Sequence, residues 1–114
     1  MVIKNITKKT DLSANEKLCD DAISKLIGLM FSQNKKRALI FKFRKEQVIS
    51  LHMFFVFYPI DVVFLDKNRI VVDIKENFKP FTFYKSRKKA LYAVELPNGS
   101  INESRTNIGD RIDF

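Results

Sequence analysis

From Ala38 onward the hydrophobic positions recur mainly with a period of two. Leu39, Phe41 and Phe43 fall on one side and Lys42 and Arg44 on the other, which predicts a half-exposed strand. Lys45-Glu46-Gln47 reads as a turn. In the apolar run that follows, Leu51, Met53, Phe55 and Phe57 share one face and His52, Phe54 and Val56 the other. With both faces mostly apolar, this strand is expected to be covered on both sides. Tyr58-Pro59 interrupts it, because proline cannot donate to a central ladder. Residues 60–65 resume as strand, residues 66–69 form a turn cluster, and Ile70, Val72 and Ile74 then alternate with Val71, Asp73 and Lys75. That pattern predicts a β-hairpin. Residues 78–89 carry no regular period. Residues 91–96 alternate again, residues 97–100 and 107–110 read as turns, and residues 111–114 make a short terminal strand.

The first third reads differently. Residues 1–7 alternate loosely, as an edge strand would. Ser13-Ala14-Asn15-Glu16 fits a capping box, and Leu18, Cys19, Ala22, Ile23 and Leu26 fall on one helical stripe. Gly28 is a natural stop, so a helix is predicted over residues 14–27. Residues 32–37 are a polar, basic loop. Six or so short strands with one helix in the N-terminal half predict a mainly-β fold, a small sandwich or barrel. There is no repeat, linker or low-complexity tract, and 114 residues make one domain spanning residues 1–114.

Composition sharpens this picture in a few places. Phe occurs 11 times and Trp not at all, which moves the expectation further toward strands. The single cysteine, Cys19, rules out an internal disulfide and reads as a small buried hydrophobe rather than a nucleophile. No Cys/His cluster suggests zinc, and no cofactor or metal is expected. The apolar run over residues 50–66 is too short for a spanning helix and contains Pro59 and Asp61, so no membrane partner is expected. The N-terminus lacks the apolar run of a secretory signal, which makes the cytoplasm the expected location. Net charge is +8 and the pI is near 9.7. Such a surface attracts polyanions weakly and nonspecifically, nucleic acid included, and its plainer reading is a lysine-rich solvated exterior.

Five ordered motifs carry a family resemblance: Lys25-x-x-Gly28-Leu29-Met30-Phe31, Ser50-x-His52-Met53, Pro59-Ile60-Asp61-Val62-Val63-Phe64-Leu65-Asp66, Glu95-Leu96-Pro97-x-Gly99 and Ile108-Gly109-Asp110. In this order they resemble the family of domain of unknown function 192. Bacterial members carry Arg-x-x-Gly-Leu-Met, Trp-Met-Lys-Asn-Thr and Pro-Leu-Asp at the first three. Here Lys25 replaces the arginine, His52 the tryptophan, and Phe54-Phe55-Val56 the Lys-Asn-Thr, a form similar to the shorter, archaeal-type branch. The resemblance covers almost the whole chain. It implies a jelly-roll-like sandwich or barrel with one helix, and it implies no activity.

Asp61, His52, Glu95 and Lys25 are the candidate site residues. Asp61 lies between Ile60 and Val62. Taken out of water it needs hydrogen bonds or a cation, so it is either a site carboxylate or an acceptor for backbone amides freed near Pro59. His52 could act as a base or a ligand donor, but the tryptophan of similar proteins argues for an aromatic packing role. Glu95 shares a strand face with Leu91 and Ala93; facing inward it would pair with Lys25 or Arg111, facing outward it would be a solvated charge, and the resemblance favours the salt bridge. Convergence of His52, Asp61 and Glu95 would indicate a hydrolase-type enzyme centred on Asp61 or a metal site. The basic clusters Lys35-Lys36-Arg37 and Arg87-Lys88-Lys89, with Phe78, Phe81, Phe83 and Tyr84, would suit nucleic acid, unless those aromatics cover the core. The leading expectation is a non-enzymatic module that binds an unknown ligand or protein partner in a cleft near His52, Asp61 and residues 78–84. The alternative is a nucleic-acid-associated protein.

Overall fold

The computed structural model describes residues 3–13, 16–19, 38–53 and 58–114. Its strands are β1 (Ile3–Asn5), β2 (Thr10–Ser13), β3 (Glu16–Cys19), β4 (Ala38–Gln47), β5 (Ser50–His52), β6 (Ile60–Leu65), β7 (Val71–Phe78), β8 (Phe83–Lys85), β9 (Ala90–Pro97) and β10 (Ile112–Asp113). One short helix, α1 (Ser100–Ser104), follows β9.

A five-stranded sheet in the order β3-β4-β9-β6-β7 forms the middle layer. Its pairings are antiparallel except β3 with β4. Alternation along its strands sends side chains to two faces. On one face Ile40, Val63, Leu65, Val94 and Leu96 pack with Ile3, Leu12 and Ile112 of the three-stranded sheet β10-β1-β2 and with Ile101 of α1. On the other, Leu39, Phe41, Val62, Phe64 and Ala93 pack with Ile49, Met53 and Phe78, and with Leu51 and Tyr84 of the β5–β8 ribbon. The result is a layered sandwich. Among the described residues no sheet closes into a barrel. No described helix is long and apolar enough to cross a membrane, which says nothing of a β-barrel.

The hairpin of residues 60–75 forms as the alternation requires, with Val63 opposite Ile74 and Leu65 opposite Val71. Strand β6 is buried at every position, because both of its faces are covered. The apolar run before Pro59 differs: in β5 Ser50 and His52 are exposed, and residues 54–57 lie outside the described set. The predicted helix is corrected at its start. Ser13 ends β2 opposite Ile3, and residues 16–19 form β3 alongside β4. The stripe read as helical begins with a segment that an adjacent strand captures, since pairing satisfies the same backbone groups. Residues 20–27 of the predicted helix lie outside the described set.

Two smaller corrections concern a turn and an irregular segment. Strand β4 runs through Gln47, so the turn falls at Val48-Ile49 rather than at residues 45–47. The segment without a period holds β8, whose three residues pair with β5.

Candidate functional site

Asp61 is buried, and backbone amides satisfy its carboxylate. Oδ1 accepts from the Asn77 amide at 3.0 Å; Oδ2 accepts from the Gly99 amide at 3.1 Å and the Ile101 amide at 3.0 Å. Gly99 has a φ of 93°, a left-handed value that favours glycine, and it forms the corner from β9 into α1. Asp61 therefore ties the third motif to the fourth.

Glu95 has the opposite environment. It is 3% exposed, and neither carboxylate oxygen has a hydrogen-bond partner among the described residues. It stands between Leu39 of β4 and Val62 of β6 in register, with Ala93 next along its own face. Lys75 stands beyond Val62, two strands away, about 10 Å by strand spacing. Its ammonium turns instead toward the Tyr84 ring, 5.4 Å from the centroid. Burial pushes the Glu95 carboxyl up to about 8, so near neutral pH it is mostly protonated.

These two carboxyls do not meet. Asp61 pairs with Leu96 and Glu95 with Val62, neighbouring positions on the same strand pair, so the side chains leave opposite faces of the sheet. His52 is exposed, pairs with Phe83, and lies on the outer face of the ribbon whose inner face carries Leu51 and Tyr84. Arg111, a proposed partner of Glu95, lines a cleft of about 490 Å³ with Ile6, Arg69, Ile70 and Ile112. Lys25 lies outside the described residues. A second cleft, about 320 Å³, lies between Ile74, Glu76, Ile101 and Arg105. Neither of these clefts is lined by His52, Asp61 or Glu95.

Two buried aspartates that were not among the candidate site residues organise the polar framework. Asp73 of β7 is fully buried and accepts from the Tyr84 hydroxyl at 2.7 Å, the Arg87 amide at 2.9 Å, and Arg87 Nε and Nη2 at 3.0 and 2.6 Å. Burial alone would raise its pKa, but the bonds from Arg87 and Tyr84 outweigh it and hold the carboxyl below its ordinary range. The ribbon is thereby fastened to β7. Asp110 accepts from Asn5 Nδ2 at 2.9 Å, from Lys8 Nζ at 2.8 Å and from the Asn107 amide at 3.0 Å. Burial opposes ionisation there too, and the Asn5 and Lys8 bonds overcome it. Among the described residues no group of three or more His, Cys, Asp or Glu side chains is placed to hold a metal ion.

Comparison with known proteins agrees with this architecture. The family model DUF192, "Uncharacterized ACR, COG1430", matches residues 3–114, and the chain belongs to that family. A UPF0127 protein of Thermococcus sibiricus is 38% identical over 112 residues, covering 96% of this chain and 72% of the relative. A UPF0127 protein of Pyrococcus furiosus is 36% identical over 112 residues, covering 96% and 95%. Among solved structures, a Sinorhizobium meliloti 1021 protein described as a "putative transcription regulator" superposes with a TM-score of 0.84 at 22% identity, covering 98% of this chain and 89% of that one. A protein of unknown function from Novosphingobium aromaticivorans DSM 12444 gives the same TM-score, 0.84, at 18% identity, covering 99% and 82%. At these identities the structural likeness establishes the fold alone.

Proposed function

We propose that this chain is a non-enzymatic binding module in which Glu95 grips the single polar head of an otherwise apolar ligand or partner segment. The supporting observation is the Glu95 carboxyl itself, buried on an apolar sheet face with both oxygens unpartnered among the described residues. Buried polar groups are almost always hydrogen-bonded, and leaving one unmade costs stability. A fold that keeps such a group is weakened by it unless something else uses it. Protonated, the carboxyl offers one donor and one acceptor side by side, the complement of an amide or hydroxyl head. A neutral head is favoured over an ammonium, because an ion pair in this layer would require desolvating two charges.

The reading is one of binding rather than catalysis. Asp61 and Glu95 leave opposite faces, Asp61 is taken up by backbone amides, and His52 lies outside. In this reading Asp61 holds the corner at Gly99, and Glu95 is the contact.

The test is native purification of the wild type and Glu95→Leu, with small molecules and proteins released on denaturation identified by mass spectrometry. Leucine fills a similar volume without an orphan polar group, so the variant folds at least as stably. The expected result is a retained species in the wild type that Glu95→Leu lacks. Equal retention by both proteins would overturn the reading, as would the absence of any retained species from either.

A further inference from the structure

Exposed cations gather at one end of the middle sheet. Lys45 lies exposed on the last part of β4, on the side of the ribbon, while the exposed Lys42 and Arg44 leave the other face of that strand. The register puts Gln47 opposite Ala90, so Lys88 and Lys89, exposed and directly before Ala90, lie beside that strand end, while the Arg87 guanidinium is held by Asp73. The adjoining turn is fixed by hydrogen bonds: Ser86 N donates to the Ile49 carbonyl at 2.8 Å, and Ser86 Oγ accepts from the Ile49 amide at 2.9 Å. Lys85 stands opposite Ser50 on the ribbon. The turn bearing Lys67 joins the same end, its amide donating to Glu46 at 3.0 Å.

The sequence sets four aromatics, Phe78, Phe81, Phe83 and Tyr84, beside this charge. The structure divides them. Phe78 is buried and Tyr84 turns inward to Phe64 and Asp73, whereas Phe81 is 60% exposed and Phe83 78%. Phe83 and Lys85 share the outer face of the ribbon two residues apart, so a bare aromatic ring borders the cationic end.

We propose that this end of the molecule binds single-stranded nucleic acid, with phosphates on the cations and a base stacked on Phe83. An unpaired strand offers anionic groups along its length and exposed base faces, and a ring beside lysines meets both. A duplex hides its base faces and would leave Phe83 unused. An anionic bilayer would need a broader apolar insertion face than Phe81, Phe83 and Val48 provide. This surface is independent of the Glu95 reading, and Glu95→Leu leaves it intact.

Fluorescence anisotropy tests it with labelled oligothymidylate of about 20 nucleotides, a duplex of equal length, and phosphatidylcholine vesicles with and without phosphatidylserine. Binding to the single strand should weaken with salt at about −0.7 in the log–log slope per phosphate neutralised. The charge reversal Lys45→Glu with Lys88→Glu and Lys89→Glu should cost more than tenfold and flatten that slope. Phe83→Ala should cost several-fold with the slope unchanged, a separation that bulk charge cannot give. Circular dichroism and melting confirm that these exposed substitutions leave the fold in place. Three outcomes would overturn the proposal: duplex binding as tight as single-strand binding and indifferent to Phe83→Ala; equal loss from reversing the exposed cations Lys4 and Lys9 instead; or tight binding to phosphatidylserine vesicles alone.

Discussion

Asp61 and Glu95 occupy neighbouring rungs of one strand pair, opposite Leu96 and Val62 respectively, and leave opposite faces of the sheet. Both are buried acids in apolar strands, yet one carboxyl accepts backbone amides from Asn77, Gly99 and Ile101 while the other accepts nothing among the described residues. That contrast divides structural work from proposed function.

Asp61→Asn should lower stability by about 1–3 kcal/mol, because an amide can satisfy fewer of these backbone donors and brings donors of its own. Urea unfolding measures it as a shift in midpoint at unchanged slope. An unshifted midpoint would mean that the β9–α1 corner holds without the carboxylate.

Glu95→Leu should be more stable than the wild type, and the gap should widen with pH. The unfolded chain ionises Glu95 above its ordinary value of 4.5, while the folded chain keeps the proton until about 8. The unfolded state therefore binds fewer protons across that window, and wild-type stability falls as pH rises through it. The slope attributable to this group is at most about 1.4 kcal/mol per pH unit, flattening above the folded value. Denaturant midpoints for both proteins at several pH values, taken as a difference, isolate it. A difference that stays constant with pH would count against a neutral buried acid.

Tyr84→Phe removes the hydroxyl that donates to Asp73 at 2.7 Å. The expected loss is about 1.5–3 kcal/mol, the range for a hydrogen bond to a charged acceptor. Hydrogen exchange should quicken in the β5–β8 ribbon more than in β9. Uniform change across the sheet would show that Asp73 does not fasten the ribbon specifically.

Acid should loosen the framework at Asp73 and Asp110. Both carboxyls are held below their ordinary value of 3.8, so the stability they contribute is present above that pH and is lost as pH falls through their lowered folded values. Asp110→Asn should remove part of the wild-type protein's acid-limb dependence. An identical acid limb in wild type and variant would place the acid sensitivity elsewhere.

The sequence carried the middle sheet well, and physical reasons separate what was legible from what was not. Strand β6 and its hairpin with β7 were readable because alternation and a turn cluster are local signals. The direction of Glu95 was left open by its company with Leu91 and Ala93, and its lack of a partner was not legible either, since pairing depends on residues far apart in sequence. The structural role of Asp61 was one of two open readings, and the Gly99 and Ile101 amides, some forty residues away, support it. Asp73 gave the same signal as Asp61, an aspartate within an apolar strand, and a uniform reading of that signal would have found it. The capping box at Ser13 failed because a local motif competes with strand pairing, and here the pairing of β3 with β4 prevails.

The most direct measurement is the carbon-13 chemical shift of the Glu95 side-chain carboxyl followed by NMR from pH 3 to pH 10, with Glu95→Gln used to assign the signal. The account predicts a titration midpoint near 8, with the carboxyl protonated at neutral pH. A midpoint at or below the ordinary 4.5 would contradict it, showing Glu95 ionised and paired, as the sequence expected with Lys25 or Arg111.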